Sequence, residues 1–413
     1  LVAVFGATVP VLAWKIGKLF KTVDFSLPAA FLTGFFPPFI AHSHYITGDI
    51  LNTALSLAII LFCLLYLQKR KWIWLILACI TVALNTVEKY PGILSYGIVL
   101  VTIAISIFSQ ENEKIQKKWG QLLTGILITL AIVALGMFIF APHLFFKLDL
   151  VRSAILIEAR PTHLGADNLS WIGNMLFYLD VFIKAAGWIV ALFGVVGLIF
   201  SITSKQPAVL LLFFGAGYWV ALSKLGLHWE RWSLPMMITP LMLGALGISK
   251  LLGSINRRRA VKVLAMAFLG IFGLMYALNG LTSSILLTWQ DTRVVALEFA
   301  ETNKITQEIS VYEGYTPFLP RTVKSIFDFN LDDPGEIQYV ILSSNMYGRY
   351  QAEPDRYASE TAFYAEVRAK ASLLAEFKAD PKPKNPFEQL HVLGDYIVNL
   401  IRQTKTTYIT GPT

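Results

Sequence analysis

The sequence predicts a mostly α protein: a polytopic membrane helical bundle of about ten spans, followed by a small extracytoplasmic α/β domain. Three observations carry that reading. Apolar runs of about 17 to 25 residues recur as far as Leu287, and each can cross a hydrocarbon core of about 30 Å. Only 15% of the residues are charged, against roughly 25% in soluble domains. From Thr288 to Thr413 the texture changes, and charges fall every few positions.

In chain order, the predicted spans are 1–16, 27–46, 50–67, 72–88, 91–109, 121–145, 185–203, 207–223, 233–250 and 261–283. The segment 147–184 opens too polar for a span. Its second half, NMLFYLDVFIKAAGW, sets Asp180 and Lys184 four apart among aromatics. It reads as a helix lying in the outer interface, or alternatively as a buried re-entrant connector. Past Thr288, DTRVVALEFAETN reads as a helix, EISVYEG as a strand, IQYVILSS as a buried strand and TTYIT as strand-like. TAFYAEVRAKASLLAEF carries apolar residues at the three-and-four spacing of an amphipathic helix. Strand alternating with helix suggests a small three-layer domain with some parallel pairing. The domains are therefore 1–287, membrane, and 288–413, soluble. The opening inside an apolar run and the stop after TTYIT read as truncation at both ends.

The formal net charge of +8 sits mostly in short loops between apolar runs, so it signals topology and argues against nucleic acid. One set of loops holds Lys15, Lys18, Lys21, Lys69, Arg70, Lys71, Lys114, Lys117, Lys118, Lys205, Lys250, Arg257, Arg258, Arg259 and Lys262. The other holds only Lys89, Lys147, Arg152, Arg160, Lys224 and Arg231. The positive-inside rule puts the first set in the cytoplasm and the C-terminal domain outside, as in a multi-pass protein of the plasma (inner) membrane. Cys63 and Cys79 lie inside apolar runs and read as packed thiols. No G-x-G-x-x-G, P-loop, H-E-x-x-H or C-x-x-C occurs, so nothing marks a nucleotide, metalloprotease or dithiol site.

Ionisable residues at membrane depth are costly, so they point to function. Here they gather at the outer ends of spans. In AHSHYITGD, Asp49 starts a returning helix, whose N-terminus favours negative charge, with His44 close in sequence. The plainer reading of Asp49 is a helix cap. His42 and His44 are two apart, a spacing that suits a strand better than a helix. A divalent metal is therefore the lesser alternative, and no cofactor is assigned. In NTVEKYPG, Glu88 and Lys89 end an apolar helix that Pro91 stops. Lys89 beside Tyr90 would anchor an anion such as phosphate; the plainer reading is a snorkelling lysine or a self-neutralising Glu–Lys pair. In LGLHWERWSLP, Trp229 and Trp232 mark the interface and hold Arg231, with His228 and Glu230, at headgroup level. A guanidinium there matches phosphate, whereas the plainer reading is an aromatic-belt loop with a Glu–Arg pair. Arg152 and Arg160 are further phosphate-binding candidates.

The same stretches carry a family resemblance. PPFIAHSHYITGDILNTALSLAIIL, LACITVALNTVEKYPGIL and HWERWSLPMMITPLM resemble the C-type membrane glycosyltransferases. Within these, the likeness is to the group of protein O-mannosyltransferases and aminoarabinose (lipid A) transferases. The matching motifs are His44 with Asp49, Lys89-Tyr90-Pro91-Gly92, and Arg231-Trp232-Ser233-Leu234-Pro235. DTRVVALEFAETN, YVILSSNMYGRY and the terminal TTYITGP extend the likeness through the tail. The resemblance implies inverting sugar transfer from a polyprenyl-phosphate donor to a glycan, lipid or protein acceptor at the outer face. It implies that Lys89, Arg231 and Arg152 hold the lipid phosphate, and that Asp49 and His44 serve catalysis. Tyr90, His228 and Glu230 would contact substrate. The family's principal acid lies between its first two spans, and this sequence starts at what looks like the second. Asp49 then takes the family's second acidic position, and the fragment alone is expected to be inactive.

A transporter or lipid-linked glycan flippase is the rival reading. Transporters set polar groups near the midplane, often at broken helices. The midplane stretches here are almost uncharged, although Pro37-Pro38 inside a span favours the rival. A non-catalytic receptor or assembly factor is a third reading.

Overall fold

The computed structural model describes residues 2–20, 23–110, 114–158, 160–203, 208–254, 259–318 and 326–413. Lys21, Lys205, Arg257 and Arg258 of the basic loops lie outside the described residues. The chain divides into two compact units. One comprises the residues up to Thr162 together with Asp167–Ser283, and the other comprises His163–Ala166 and Ser284–Thr413.

Among the described residues the regular structure of the first unit is all helical, as lipid demands of a backbone with no water to bond. It begins with α1 (Val2–Lys18), α2 (Ser26–Gly34), α3 (Pro37–His42), α4 (Asp49–Lys69) and α5 (Trp72–Glu88). It continues through α6 (Tyr96–Phe108), α7 (Ile115–Phe140), α8 (His143–Phe146), α9 (Leu148–Glu158) and α10 (Trp171–Ala186). The last helices are α11 (Trp188–Thr203), α12 (Ala208–Ser223), α13 (Leu234–Ser254) and α14 (Arg259–Leu286). Helices α4 and α13 are apolar around most of their circumference and take the centre of the core, where Ile50, Leu57, Ile60, Met237, Leu241 and Met242 are buried. Small residues let α11 and α13 touch backbone to backbone: a β-carbon on Gly197 would strike the Leu243 carbonyl, and one on Gly247 that of Phe193.

The chain is a mostly α, multi-pass membrane protein. Among the described residues five helical stretches are long and apolar enough to cross a membrane: Asp49–Lys69, Tyr90–Phe108, Ile115–Phe140, Glu230–Ser254 and Ala260–Leu286. A sixth candidate is the pair α10–α11, bent by 114°. Helices α5 and α12 are apolar but, at 17 and 16 residues, short of the usual span. The expected span 27–46 is instead two short helices. Phe36 is extended (φ −72°, ψ 114°) and Pro37 and Pro38 start α3. Proline disfavours the helical conformation in the residue before it and suits a first helical turn, so the helix stops before Pro37 and restarts with it.

The second unit holds β1 (Gln290–Asp291), α15 (Thr292–Thr302), β2 (Ser310–Tyr312), β3 (Tyr339–Ile341), α16 (Ser344–Ala352), α17 (Ala358–Lys370), α18 (Pro386–Arg402) and β4 (Ile409–Thr410). Its pairing is parallel, β1 with β4 and β2 with β3, in two separate two-stranded ladders. Strand β3, expected to be buried, is half-buried. Helix α17 ends at Lys370, short of the expected ASLLAEF continuation. Its core contacts stop at Phe363, Tyr364 and Val367, and Leu373 and Leu374 are exposed with no packing to hold a further turn.

Glu313 is the buried acid of this unit. Its carboxylate accepts the Ser343 N–H at 2.5 Å and the Tyr364 hydroxyl at 2.7 Å. Burial raises its affinity for a proton above the ordinary value of 4.5, against those two hydrogen bonds. The folded carboxyl thus keeps its proton at pH values where the unfolded one has lost it. Stability is then full at low pH and falls as pH rises above 4.5 through the folded value. Exchange of the Ser343 amide is expected to accelerate over that window, and Glu313→Gln should flatten the dependence.

Candidate active site

The site is built where α3 ends, α4 begins and α5 ends. Gly48 caps α4, so Asp49 is its first residue, with its carboxylate at the positive end of the helix and only 2% exposed. Lys89 follows the last residue of α5 in extended conformation (φ −150°, ψ 117°), which frees its side chain to reach across and donate to Asp49 Oδ1. The two form a part-buried ion pair across 40 positions of sequence. The Glu–Lys self-pairing open at the sequence level gives way to this longer-range partner.

A polar ladder one turn deeper fixes the pair. Asp49, Asn52 and Ser56 stand at i, i+3 and i+7 on α4. Asn52 donates to Asn85 Oδ1 at 2.9 Å, and Asn85 donates to the Ser56 and Ser95 hydroxyls at 3.2 and 3.4 Å. The Asn85 carbonyl accepts the Lys89 N–H at 3.1 Å. It also presses so close to Gly92 that a β-carbon there would collide with it. The glycine of the KYPG turn is thus required by the approach of α5's last carbonyls. Asn85→Ala would leave buried Asn52 without its acceptor. A loss of about 1–3 kcal/mol is expected in thermal unfolding, with a fall in any activity that depends on Lys89.

The histidine beside Asp49 is His42 rather than the expected His44. His42 ends α3 and places Nδ1 3.7 Å from Asp49 Oδ2. His44 lies in the turn beyond, exposed, with its Nδ1 2.8 Å from the Ile40 carbonyl. Helix α3 ends at His42, which leaves His44 past it in the turn. Glu88, absent from the expected site, is also here. Its carboxylate packs against Gly48, feels both Lys89 and Asp49, and keeps Oε2 buried without a hydrogen bond. The sequence signal was a carboxylate at the end of an apolar helix.

His42 also lines a hollow of about 410 Å³, with Pro38, Tyr45, Lys184, Glu230 and Arg231 among the other walls. Arg231 sits in the 3₁₀ turn Glu230–Ser233, its guanidinium 5.9 Å from the Trp229 ring. The charges of Asp49, Lys89 and Arg231 all act on His42. Asp49 thus lies beside the imidazole with Lys89 as its ion-pair partner, and Arg231 shares the hollow with His42. The other expected residues divide. Glu230 lines the hollow, and Tyr90 follows Lys89 at the start of the 3₁₀ turn Tyr90–Ser95, exposed. Arg152 is exposed on α9 and is not among the residues of the hollow. His228 packs on Phe177 at 4.7 Å, and burial lowers its imidazole's affinity for a proton despite the opposing Asp167 carboxylate. Burial therefore favours its neutral form. Among the described residues no three His, Cys, Asp or Glu side chains gather as metal ligands would.

Residues 1–145 match the family model described as dolichyl-phosphate-mannose-protein mannosyltransferase. The resemblance drawn from the sequence motifs is borne out over that stretch, which holds His42, Asp49, Glu88 and Lys89 but not Arg231. Among solved structures, the crystal structure of ArnT from Cupriavidus metallidurans in the apo state aligns with 73% of this chain at 11% identity and a TM-score of 0.45. The chain covers 56% of that structure's length. No curated protein matches the chain.

Proposed function

We propose that the chain belongs to a membrane glycosyltransferase that moves a sugar from a polyprenyl-phosphate donor to an acceptor hydroxyl at the outer face of the plasma membrane. The family match over residues 1–145 supports the reaction class. The observation that carries the site is the Asp49–Lys89 pair, linked through His42 to a hollow lined by Arg231. The acceptor oxygen attacks the anomeric carbon while the bond from that carbon to the phosphate oxygen breaks, so configuration inverts. The lipid phosphate leaves with the bonding electrons, which Lys89 and Arg231 stabilise as charge develops. The acceptor proton passes to a carboxylate. Asp49 contacts donor sugar or acceptor, and His42 sets its orientation.

Sidedness rests on the basic loops, which would leave the hollow and the second unit outside the cytoplasm. The acceptor is a glycan, a lipid or a protein. The break between α2 and α3 is a feature that a transporter would share. One experiment separates the two: radiolabelled polyprenyl-phosphate sugar is supplied to vesicles holding the intact protein. Label in a new glycoside supports transfer, whereas unchanged label moved across the bilayer supports transport and ends the catalytic reading.

A further inference from the structure

Helix α18 carries two apolar faces where a soluble surface helix needs one. Its start is set by Asn385, which accepts from the Phe387 and Glu388 N–H groups, and its end by Gln403 in left-handed conformation. Val392, Leu393 and Tyr396 turn inward onto Ile285, Leu286, Trp289 and Tyr408. At 100° per residue, Phe387, Leu390, Ile397, Val398 and Ile401 form a second stripe about 100° wide. That stripe is bare: Phe387 is 84% exposed and Ile401 75%. Glu388, His391, Asp395, Asn399 and Arg402 occupy the remaining arc.

The residues beneath α18 say what covers it. Ile285 and Leu286 are the end of α14, whose apolar stretch Ala260–Leu286 is long enough to cross a membrane. The helix is thus seated where the chain leaves the hydrocarbon. Trp289 stacks on Tyr408 at the same place (centroids 4.7 Å apart, 17° between planes), an aromatic pair of the kind that settles at headgroup level. Lys382 and Lys384 precede the helix, Arg402 is its last residue and Lys405 follows it, a basic flank at each end. Apolar stripe, polar stripe and basic ends are what an amphipathic helix needs to lie in an anionic membrane surface. We infer that α18 docks the second unit onto the bilayer, its bare stripe in the headgroup–acyl boundary. This goes beyond the proposed transfer and does not depend on it.

Nitroxide labels test the inference in the intact protein, reconstituted in vesicles of phosphatidylethanolamine and phosphatidylglycerol. Cys63 and Cys79 are buried, so label goes to an introduced thiol. Phe387→Cys and Ile401→Cys replace exposed side chains, and Asp395→Cys reports the polar arc. At 387 and 401 oxygen should relax the label more than a water-soluble nickel complex does, and at 395 the order should invert. Nickel dominating at all three positions would mean an open aqueous face. Protection of 387 and 401 from both reagents would mean a protein cover, a second copy included. Either result overturns the inference.

Discussion

Lys89→Ala in the intact protein is expected to destroy transfer and weaken the bundle at once. Asp49 is 2% exposed and depends on the ammonium for its countercharge. Removing one partner of a buried pair costs about 3–5 kcal/mol, because the other charge stays buried and uncompensated. Partial compensation from the α4 N-terminus places the loss toward the lower end of that range. Transfer should fall by about 10²–10³-fold or more, the size of effect seen when one preorganised donor to a developing charge is lost. Neutralising both partners separates the effects. Asp49→Asn with Lys89→Met should recover much of the thermal stability while leaving turnover of radiolabelled donor undetectable. Wild-type turnover by Lys89→Ala would remove the lysine from the mechanism.

Arg231→Ala should give a loss of transfer of the same order, about 10²–10³-fold, with unfolding unchanged. Arg231 is exposed, packs only loosely over Trp229 and lines the hollow, so the fold does not lean on it. Arg231→Lys keeps the charge but loses the planar fork that grips phosphate through two parallel hydrogen bonds, so it should restore only part of the rate. If Lys89 and Arg231 hold one phosphate, their losses combine less than additively in the double variant. Donor KM and turnover at wild-type values in Arg231→Ala would refute its assignment.

Several features of the site could be read from the chain alone. Asp49, Asn52 and Ser56 repeat at helical spacing in DILNTALS, which already marks one polar face on an apolar helix. The N-P-F-E run at Asn385–Glu388 is a capping signature that announces α18, a helix not anticipated in the sequence reading. Other features were not legible. No local pattern says that Lys89 reaches Asp49 rather than pairing with Glu88. The choice of His42 over His44 hangs on where α3 ends and how it packs beside the start of α4. The preference of His228 for its neutral form follows from burial, here against Phe177, which only packing creates.

That this chain crosses a membrane several times, and where most of its helices lie, was legible from the residues, because apolar length and periodicity are local properties of the chain. So was the gathering of the ionisable residues at span ends, since lipid excludes them elsewhere. Helix packing settled which of them meet: Asp49 with Lys89 and His42, His42 with Arg231 along one hollow, and Glu88 against Gly48. Charge pairing depends on distances of a few ångströms between segments far apart in sequence, and those distances are set by how whole helices pack.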